Sequence, residues 1–417
     1  MVNGARKSLE EGNSSAPPAF ILGVSANGLS FIRSLGRKGI PVVALDSIPF
    51  PGAYSKYCKK IILPEILENE EKWLEFLIVA GKGLPRKGVI IPTGDAHVLF
   101  LSRNRDKLSP YFDFSLVEEK LLEAITNKKT QYELARKHRI AAPKSYFPKN
   151  LRQAISLAPT LDYPCILKPY YSHLWKKFAE NKKEYSRKKL VEVSGLEELV
   201  EVYSEMIKGE VGIMIQERIP GGDERLYGFF TYFGKDSEPL AVFTKRKLRQ
   251  TWGGYGVACF QVSLWEPTVA ELGIRLLRSV KYQGLANIEF KKDPRDGQFK
   301  LIEVNPRSAL SGETAVASGV DIPYIAYRDI IGEKVQKNPS FSEGVKWVDL
   351  VEDFKASLLN GCEKKLTFAE WAKSLRGRRS YAIWSADDSL PFIVQSIQIF
   401  RLVPRKIFYW LKRGRPV

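Results

Sequence analysis

The stretch ANIEFKKDPRDGQFKLIEVNPR, residues 286–307, decides the fold. Two runs of alternating apolar and polar residues flank the turn-forming segment DPRDG, which predicts a β-hairpin. If the hairpin is symmetric about Asp296, Glu289 lies directly opposite Glu303. Asn305 shares the face of Glu303, because it is two residues further along the strand. The other face is predicted to be core and to carry Ile288, Phe290, Ile302 and Val304.

Opposed carboxylates repel one another across a sheet, so something must compensate for this pair. A hard divalent cation with oxygen ligands does so, and Mg²⁺ takes one or two carboxylates together with substrate phosphates. Asn305 can add a carbonyl oxygen. The alternative is a solvated polar face, which does not account for two acids and an asparagine converging before Pro306 and Arg307. We therefore predict a metal site at Glu289, Glu303 and Asn305.

Two lysines are candidates for binding an anion. Lys168 ends a predicted buried strand in the segment CILKP, where a charge is costly unless it meets an anion. Lys128 begins a predicted helix with Thr126 or Asn127 as N-cap, and the free N–H groups of a helix start attract phosphate. Taken alone, Lys128 is better explained as an ordinary surface lysine, whereas for Lys168 a purely structural role and an anion partner explain the sequence equally well.

The segment MIQERIPGGDE, residues 214–224, predicts a strand that ends in Glu217, followed by a glycine-rich turn with Asp223 and Glu224. A carboxylate at a strand end, beside free backbone groups, can accept a hydrogen bond from an exocyclic amine such as that of adenine. Taken alone, the segment is better explained as a charged hairpin edge.

The segment TKRKLRQ, residues 244–250, is predicted to place Lys245, Lys247 and Arg249 on one side of a strand. An unopposed basic row suits phosphates or a developing oxyanion. The alternative is a solvated sheet edge guarded by lysines.

The N-terminal part begins with a β-α-β pattern of a doubly wound α/β domain. Phe20–Val24 and Val42–Leu45 are predicted strands, and a helix follows a turn at Asn27 and Gly28. The spacing from Gly23 to Gly28 is that of a phosphate loop, but leucine stands where the required lysine would be. We favour a tight strand-to-helix turn, and binding of a small-molecule group there stays open. A dehydrogenase function would rest on this unit alone.

Composition excludes several classes of protein. The 417 residues include 65 Lys and Arg against 47 Asp and Glu, a net charge of +18, which favours acidic partners. Three histidines exclude a His-rich metal centre, and four cysteines without a C-x-x-C pair argue against a zinc site or a disulfide scaffold. The sequence shows no secretory signal and no apolar run long enough for a membrane span. We expect a cytoplasmic protein.

Taken in order, these segments resemble the ATP-grasp superfamily of carboxylate–amine (or thiol) ligases, over roughly residues 20–332. The acidic strand pair that ends in EVNPR, residues 303–307, is the specific part, and the order of the weaker motifs ILKP and QERIPG strengthens the match. The D-aspartate ligase-like and carbamoyl phosphate synthetase-like branches look most similar. One departure is the stretch 170–189, basic and without glycine, where many relatives carry a Gly- and Ser-rich flap.

The resemblance implies an α/β plus α+β fold, with a Rossmann-like pre-ATP-grasp domain before two ATP-grasp subdomains. The expected division is a flexible tail (1–18), the pre-ATP-grasp domain (19–120), a linker helix with the first subdomain (121–220), the second subdomain with the Mg-ATP site (221–335) and a C-terminal extension (336–417).

The resemblance also implies roles for the candidate residues. Lys128 and Lys168 would contact the phosphates of ATP, Lys168 also near the adenine. Glu217 would accept from the adenine amino group, the adjacent backbone of Arg218 and Ile219 would read the ring edge, and Glu224 or Asp223 would hold the ribose. Mg²⁺, with Mn²⁺ as an alternative, would bind Glu289, Glu303 and Asn305. Arg307, Lys247 and Arg249 would stabilise the phosphoryl group and the acyl phosphate.

The implied activity is an ATP-dependent ligase that activates a small-molecule carboxylate as an acyl phosphate and joins it to an amine. A kinase that stops at phosphoryl transfer is an alternative. Nucleic-acid binding is a further one, which the net charge favours and the acidic strand pair does not explain. The oligomeric state stays open.

The C-terminal segment 389–417 is basic and aromatic, and it contains no acidic residue. This composition is typical of an in-plane anchor on an anionic membrane, here the inner face of the cell membrane. The alternative is a helix packed on the protein body. Pro404 is predicted to interrupt any single long helix in this segment.

Overall fold

The computed structural model describes residues 16–171, 190–208, 212–251, 256–336, 340–360 and 365–402. The basic stretch 172–189 and the tail from residue 403, with Pro404, lie outside the described residues. The chain forms two compact units: residues up to Phe114 together with those from Tyr381, and Ser115–Ser380. The finer five-part division remains a prediction. In the described part of the chain, no helix has both the length and the apolar character to cross a bilayer.

The first unit is built on a parallel five-stranded sheet with strand order β3-β2-β1-β4-β5. Its N-terminal elements are β1 (Ala19–Leu22), α1 (Ala26–Gly36), β2 (Val42–Asp46), a 3₁₀ turn (Pro51–Tyr54), β3 (Lys59–Ile62), α2 (Glu70–Lys82), β4 (Gly88–Pro92), α3 (Asp95–Arg103), α4 (Arg105–Leu108) and β5 (Phe112–Asp113). Every residue of β1, β2 and β4 is buried, which is typical of a parallel sheet covered on both faces. The predicted β-α-β unit is confirmed.

The turn predicted at Asn27 and Gly28 is instead the first turn of α1, which begins at Ala26. A Cβ atom on Gly28 would lie 1.9 Å from the carbonyl oxygen of Gly23, so only glycine lets the helix start this close to the preceding loop. The close packing of the helix start therefore explains the spacing of Gly23 and Gly28, as the tight-turn interpretation predicted.

The second unit contains two antiparallel sheets. Its first part comprises α5 (Glu119–Thr126), α6 (Lys128–Lys137), β6 (Ser145–Tyr146), α7 (Leu151–Leu157), a 3₁₀ turn (Ala158–Thr160), β7 (Cys165–Pro169), β8 (Val191–Val193), α8 (Leu196–Ile207) and β9 (Ile213–Glu217). The four strands pair in the order β6-β9-β7-β8. Asn127 is the N-cap of α6, and its side chain accepts from the backbone N–H of Lys129.

A seven-stranded sheet dominates the rest of this unit. The elements are a 3₁₀ turn (Asp223–Arg225), β10 (Leu226–Phe233), β11 (Pro239–Gln250), β12 (Ala258–Ser263), α9 (Pro267–Ser279), β13 (Gly284–Lys292), β14 (Phe299–Asn305), α10 (Gly312–Ser318), α11 (Ile322–Ile330), β15 (Lys346–Val348), α12 (Leu350–Phe354), a π-helical segment (Lys355–Asn360), α13 (Phe368–Ser374) and β16 (Arg379–Tyr381). The strand order is β14-β13-β10-β11-β12-β15-β16. A parallel α/β sheet followed by antiparallel sheets confirms the predicted fold class.

The C-terminal helix α14 (Leu390–Leu402) belongs to the first unit. The segment before it is fixed by a fully buried ion pair, in which Arg33 Nε donates to Asp388 Oδ2 at 2.9 Å. Arg33 also donates to the carbonyl oxygen of Ile383, and Arg37 pairs with Asp387 at 2.9 Å. Arg33 of α1 and Arg37, the residue directly after that helix, therefore hold the segment that precedes α14.

Candidate functional site

The β13–β14 hairpin brings the two predicted carboxylates together. Glu289 pairs directly with Glu303, as predicted. The predicted register, symmetric about Asp296, holds from Asn287 to Glu289, whereas nearer the turn the strands pair one residue out of it, and a β-bulge at Ile302 takes up the difference. The bulge also corrects the predicted core: Leu301 is fully buried, whereas Ile302 is only partly buried.

Asparagines continue the same face beyond the carboxylates. Asn287 pairs with Asn305, and both are buried. The side-chain oxygen of Asn287 is buried and accepts no hydrogen bond from the residues that the structure describes, whereas that of Asn305 accepts from Arg307 at 3.1 Å. Sequence analysis missed Asn287, although its position two residues before Glu289 places it on this face.

Two buried lysines already pair with the carboxylates. Lys128 Nζ, at the start of α6, lies 2.8 Å from Glu303 Oε1. Lys247 Nζ, on β11, lies 2.8 Å from Glu289 Oε2. The structure therefore brings the predicted phosphate-binding lysine Lys128 and the predicted catalytic lysine Lys247 to the carboxylate pair.

Lys168 is buried at the end of β7, as the sequence predicted. Burial lowers the pKa of its amino group to about 7; Lys128 lowers it further, against the opposing influence of Glu303 and Glu289. Its nitrogen lies 5.8 Å from the ring centroid of Tyr132. In the described part of the chain no carboxylate lies within ion-pairing distance of Lys168, so this amino group is available to an anion.

Lys245 is a fourth buried lysine of this region, and its place depends on a glycine. Gly228 on the central strand β10 stands between Lys245 on β11 and Glu289 on β13. A Cβ atom at Gly228 would lie 2.7 Å from Cε of Lys245, so the lysine side chain extends over the bare backbone. Its nitrogen donates to Ser311 Oγ at 2.7 Å. Burial lowers the pKa of Lys245 to about 7, and Lys247 contributes to the shift against Glu289.

The charges of this cluster favour an anionic ligand. Four lysines are buried there (Lys128, Lys168, Lys245 and Lys247), and among the described residues two of them, Lys128 and Lys247, are paired with a glutamate. Uncompensated buried cations are costly, and bound phosphate or carboxylate groups relieve that cost. The predicted Arg307 is half-buried next to Asn305.

Arg249 does not join this cluster, contrary to the prediction. A β-bulge between Lys247 and Arg249 reverses the alternation of β11, so that Lys247 pairs with Gln261 and Arg249 with Phe260. Arg249 forms a bidentate ion pair with the buried carboxylate of Asp353, at 2.7 and 2.8 Å. The structure therefore assigns Arg249 to the packing of the C-terminal part of this unit.

Glu217 ends β9 as predicted, but its carboxylate is already engaged. One oxygen accepts from the backbone N–H of Lys144 at 3.0 Å, and the other is bonded by the guanidinium of Arg295. Of the two neighbours whose backbone was predicted to read the adenine, Arg218 pairs through its side chain with Glu192 at 3.1 Å. The carbonyl of Ile219 accepts from Lys291 at 2.9 Å.

The two candidate ribose ligands differ in environment. Asp223 accepts from both the backbone and the side-chain nitrogen of Gln250, at 2.7 and 2.8 Å, and so holds the end of β11. Glu224 is exposed. Of the two, Glu224 is the more accessible to a ligand.

The donors on the hairpin fit a hard cation. Glu289 and Glu303 offer carboxylate oxygens and Asn305 an amide oxygen, and Asn287, on the same face of the hairpin, adds a second buried amide oxygen. Among the residues that the structure describes, no cluster of three or more His, Cys, Asp or Glu side chains could hold a metal. Two carboxylates with amide oxygens suit Mg²⁺, which keeps positions for substrate phosphates and water.

The amino-acid sequence is similar to those of known proteins over part or most of its length. Residues 258–352 match a family model described as ATP-grasp in the biosynthetic pathway with Ter operon. The D-aspartate ligase of Enterococcus faecium (strain Aus0004) is 23% identical over 367 residues, which cover 85% of this chain and 84% of that protein. The carbamoyl phosphate synthase large chain of Methanothermobacter thermautotrophicus is 38% identical over 63 residues, 15% of this chain and 6% of that protein.

Solved structures resemble the fold over most of the chain. N5-carboxyaminoimidazole synthetase from Staphylococcus aureus, complexed with ADP, gives a TM-score of 0.60 at 15% identity, covering 78% of this chain and 80% of its own. L-amino acid ligase from Bacillus licheniformis gives 0.55 at 16% identity, with 78% and 76% covered. The Hydrogenobacter thermophilus biotin carboxylase domain, in complex with MgADP, ADP and bicarbonate, gives 0.59 at 17% identity, with 79% and 73% covered. The predicted fold is confirmed.

Proposed function

We propose that this chain, which belongs to the ATP-grasp superfamily, is an ATP-dependent ligase that joins a carboxylate to an amine and releases ADP and phosphate. The observation that carries the proposal is the buried cluster of four lysines around the opposed pair Glu289 and Glu303. Buried cations of this kind suit phosphate groups, because each compensates the charge of the other.

The cation would be held by Glu289, Glu303 and Asn305, with the buried side-chain oxygen of Asn287 beside them. When bound, Mg²⁺ supplies positive charge that offsets the charge of the ATP phosphates and keeps them aligned. Mn²⁺ is the alternative ion. Lys128 and Lys247 are paired to the carboxylates, and we propose that they orient these ligands and turn to phosphate oxygens when nucleotide binds.

The reaction has two balanced steps. A carboxylate oxygen of the substrate attacks the γ-phosphorus of ATP, the bond to the bridging oxygen breaks, and ADP leaves with that electron pair. The amine nitrogen then attacks the acyl carbon of the acyl phosphate, phosphate leaves, and the amine loses a proton to solvent or phosphate. Lys168, Lys245 and Arg307 supply positive charge where the phosphoryl oxygens accumulate negative charge.

For the nucleotide base, we propose that the end of β9 reads the adenine and that Glu224 contacts the ribose. Glu217 is bonded to Arg295, whose guanidinium also pairs with the buried carboxylate of Asp293. The proposal requires Arg295, whose side chain is 44% exposed, to release Glu217 when the nucleotide binds.

For the substrates, we propose a small carboxylic acid and an amine of the amino-acid class. The similarity to a D-aspartate ligase and to an L-amino acid ligase supports this class. A cytoplasmic location agrees with ATP as substrate. We further propose a peripheral contact of residues 389–417 with an anionic membrane, which does not depend on this chemistry.

The test is a search for the product. Purified full-length protein with Mg-ATP is incubated with pools of amino acids and small carboxylic acids, and ADP, phosphate and any conjugate are identified by mass spectrometry. The proposal expects one phosphate and one amide for each ADP. A phosphorylated acceptor with no free phosphate would favour the kinase alternative, and the absence of any acceptor-dependent ADP would argue against both.

A further inference from the structure

A chain of hydrogen bonds leads from the 3₁₀ turn after β9 to the carboxylate pair. Asp223 of that turn accepts from the side-chain nitrogen Nε2 of Gln250 at 2.8 Å. The oxygen Oε1 of the same amide accepts from Lys247 Nζ at 3.2 Å. Lys247 Nζ also donates to Glu289 Oε2, at 2.8 Å. Gln250 therefore stands between a carboxylate of the turn and a lysine of the buried cluster.

The amide of Gln250 can take only one orientation between these two partners. An ionised carboxylate only accepts hydrogen bonds, whereas a lysine ammonium only donates them. The amide nitrogen must therefore face Asp223, and the amide oxygen must face Lys247. Gln250 and Lys247 are both buried, and hydrogen bonds in the low dielectric of a protein interior are stronger than in water.

The contact between Gln250 and Lys247 depends on the irregular end of β11. Residues three apart on a regular strand lie on opposite faces of the sheet, so their side chains do not meet. The pairing of β11 with β12 is irregular on both sides of Arg249, and this turns the arginine towards Asp353. The same irregularity lets the amide of Gln250 reach the lysine.

Lys245, the other buried lysine on β11, also has a neutral acceptor. It donates to the hydroxyl of Ser311, which in turn donates to Gln261 Oε1 at 3.0 Å. Lysine has a long flexible stem, so an acceptor is needed to hold its ammonium group in one place. A neutral acceptor does so without cancelling the positive charge. Ser311 thus serves Lys245 as Gln250 serves Lys247.

We infer that Gln250 is a positioning residue, which holds Lys247 in place and leaves its positive charge to the phosphates of the nucleotide. The inference rests on the proposed function, in which Glu289 binds the cation. When Glu289 does so, Gln250 still accepts from Lys247. Asp223 orients the amide and does not bind the ribose, and its negative charge stays one side chain away from the lysine.

The test exchanges the carboxylate and the amide in the full-length protein. In the double variant Asp223→Asn/Gln250→Glu, the introduced amide can donate to the introduced carboxylate, which accepts from Lys247. The hydrogen bonds and the net charge are thus kept, and only the place of the negative charge differs. We expect the nucleotide-free double variant to unfold within about 3 °C of the wild type. Its affinity for Mg-ATP, measured by calorimetric titration, should fall about tenfold or more, because the introduced carboxylate cancels the charge of Lys247.

Two single variants complete the test. Gln250→Met removes the acceptor and adds no charge, so it should lower the affinity for Mg-ATP about threefold or more. Gln153→Glu is the matched control for an added carboxylate. It changes an exposed glutamine of α7 whose side-chain oxygen accepts from the backbone N–H of Lys149, a bond that a carboxylate keeps. Its affinity should stay within about twofold of wild type.

Wild-type affinity in the double variant would overturn the inference, because the place of the charge would then not matter. Wild-type affinity in Gln250→Met, which remains measurable if the double variant does not fold, would also overturn it, as would a loss in Gln153→Glu equal to that in the double variant. A wild-type protein that does not bind Mg-ATP would refute the proposed function, and this inference with it. Normal binding by the wild type and the double variant alike would refute the inference alone.

Discussion

Lys168 lies buried near a second lysine, Lys128, without a carboxylate partner of its own among the described residues. Its pKa is lowered to about 7, below the ordinary value of about 10.4. Between these two values the unfolded chain binds more protons than the folded one, so stability of the nucleotide-free protein rises with pH across this window. Below about pH 7 the buried charge opposes folding in full.

Lys168→Met should therefore stabilise the nucleotide-free protein, by about 1–3 kcal/mol near pH 7 and by less towards pH 10. The same variant should lose most of the rise in melting temperature that Mg-ATP gives the wild type, because the phosphate loses its buried cation. Thermal unfolding at both pH values, with and without Mg-ATP, measures both effects. If Mg-ATP raised the melting temperature of the variant as much as that of the wild type, Lys168 would have a structural role and no role in binding phosphate.

We expect Gly228 to affect ATP turnover, because the side chain of Lys245 extends across this glycine. A methyl group there would meet Lys245 Cε at 2.7 Å and push the lysine away from Ser311. Gly228→Ala should lower ATP turnover by about tenfold, equivalent to about 1.4 kcal/mol of transition-state stabilisation, with little change in thermal stability. The control is Gly195→Ala, at an extended position where an added Cβ meets nothing within 4 Å. Equal turnover of both variants would contradict the role of Lys245.

At the scale of elements, β11 carries residues with two different tasks. Lys245 and Lys247 face the carboxylate pair, while the bulge turns Arg249 towards Asp353. Trp371 also donates to Asp353, at 2.8 Å, and Ser374 lies 3.1 Å from Arg249. The arginine therefore ties α12 and α13 to the strand that bears the lysines.

Arg249→Lys keeps the charge but loses the bidentate geometry, so it should lower the free energy of unfolding by about 1–3 kcal/mol. Mg-ATP affinity should stay within about twofold of wild type, because the side chain is bonded to Asp353 and not to the carboxylate pair. Urea unfolding measures the change in the free energy of unfolding, and calorimetric titration measures the affinity for Mg-ATP. Unchanged stability combined with lost affinity would restore the catalytic role that the sequence suggested.

The β13–β14 hairpin leads to the most direct prediction at the scale of elements. Glu303→Gln should abolish ATP turnover, because the cation loses a carboxylate, while the amide still offers an acceptor to Lys128 and the fold is retained. Glu333→Gln, at an exposed glutamate of the same unit, is the control. ATP hydrolysis near the wild-type level in Glu303→Gln, measured with Mg²⁺, would exclude the proposed metal site.

The sequence predicted the hairpin and its opposed carboxylates because alternation and turn chemistry are local. It could not predict the bulges at Ile302 and near Arg249, since a bulge depends on the partner strand. Asn287 could have been found by the same alternation that found Asn305. The hydrogen bond from Arg295 to Glu217 could not have been predicted from the sequence, because the two residues are 78 positions apart and meet only in the folded unit.

At the scale of the whole molecule, every candidate nucleotide and metal residue belongs to the unit Ser115–Ser380. The C-terminal residues divide between the two units, a division that composition did not reveal. Its cause is the buried pair of Arg33 and Asp388, 355 positions apart, which draws the last helix to the N-terminal unit. Long-range pairs of this kind leave no periodic signal in the sequence.

The central claim is that the chain activates a carboxylate with ATP and transfers the acyl group to an amine. It is tested most directly with an acid substrate, found by the product search, whose carboxylate is labelled with oxygen-18. An acyl phosphate intermediate transfers one labelled oxygen to the released phosphate, and mass spectrometry of that phosphate detects it. The account predicts one labelled oxygen in each phosphate released with the amide. Unlabelled phosphate would contradict it.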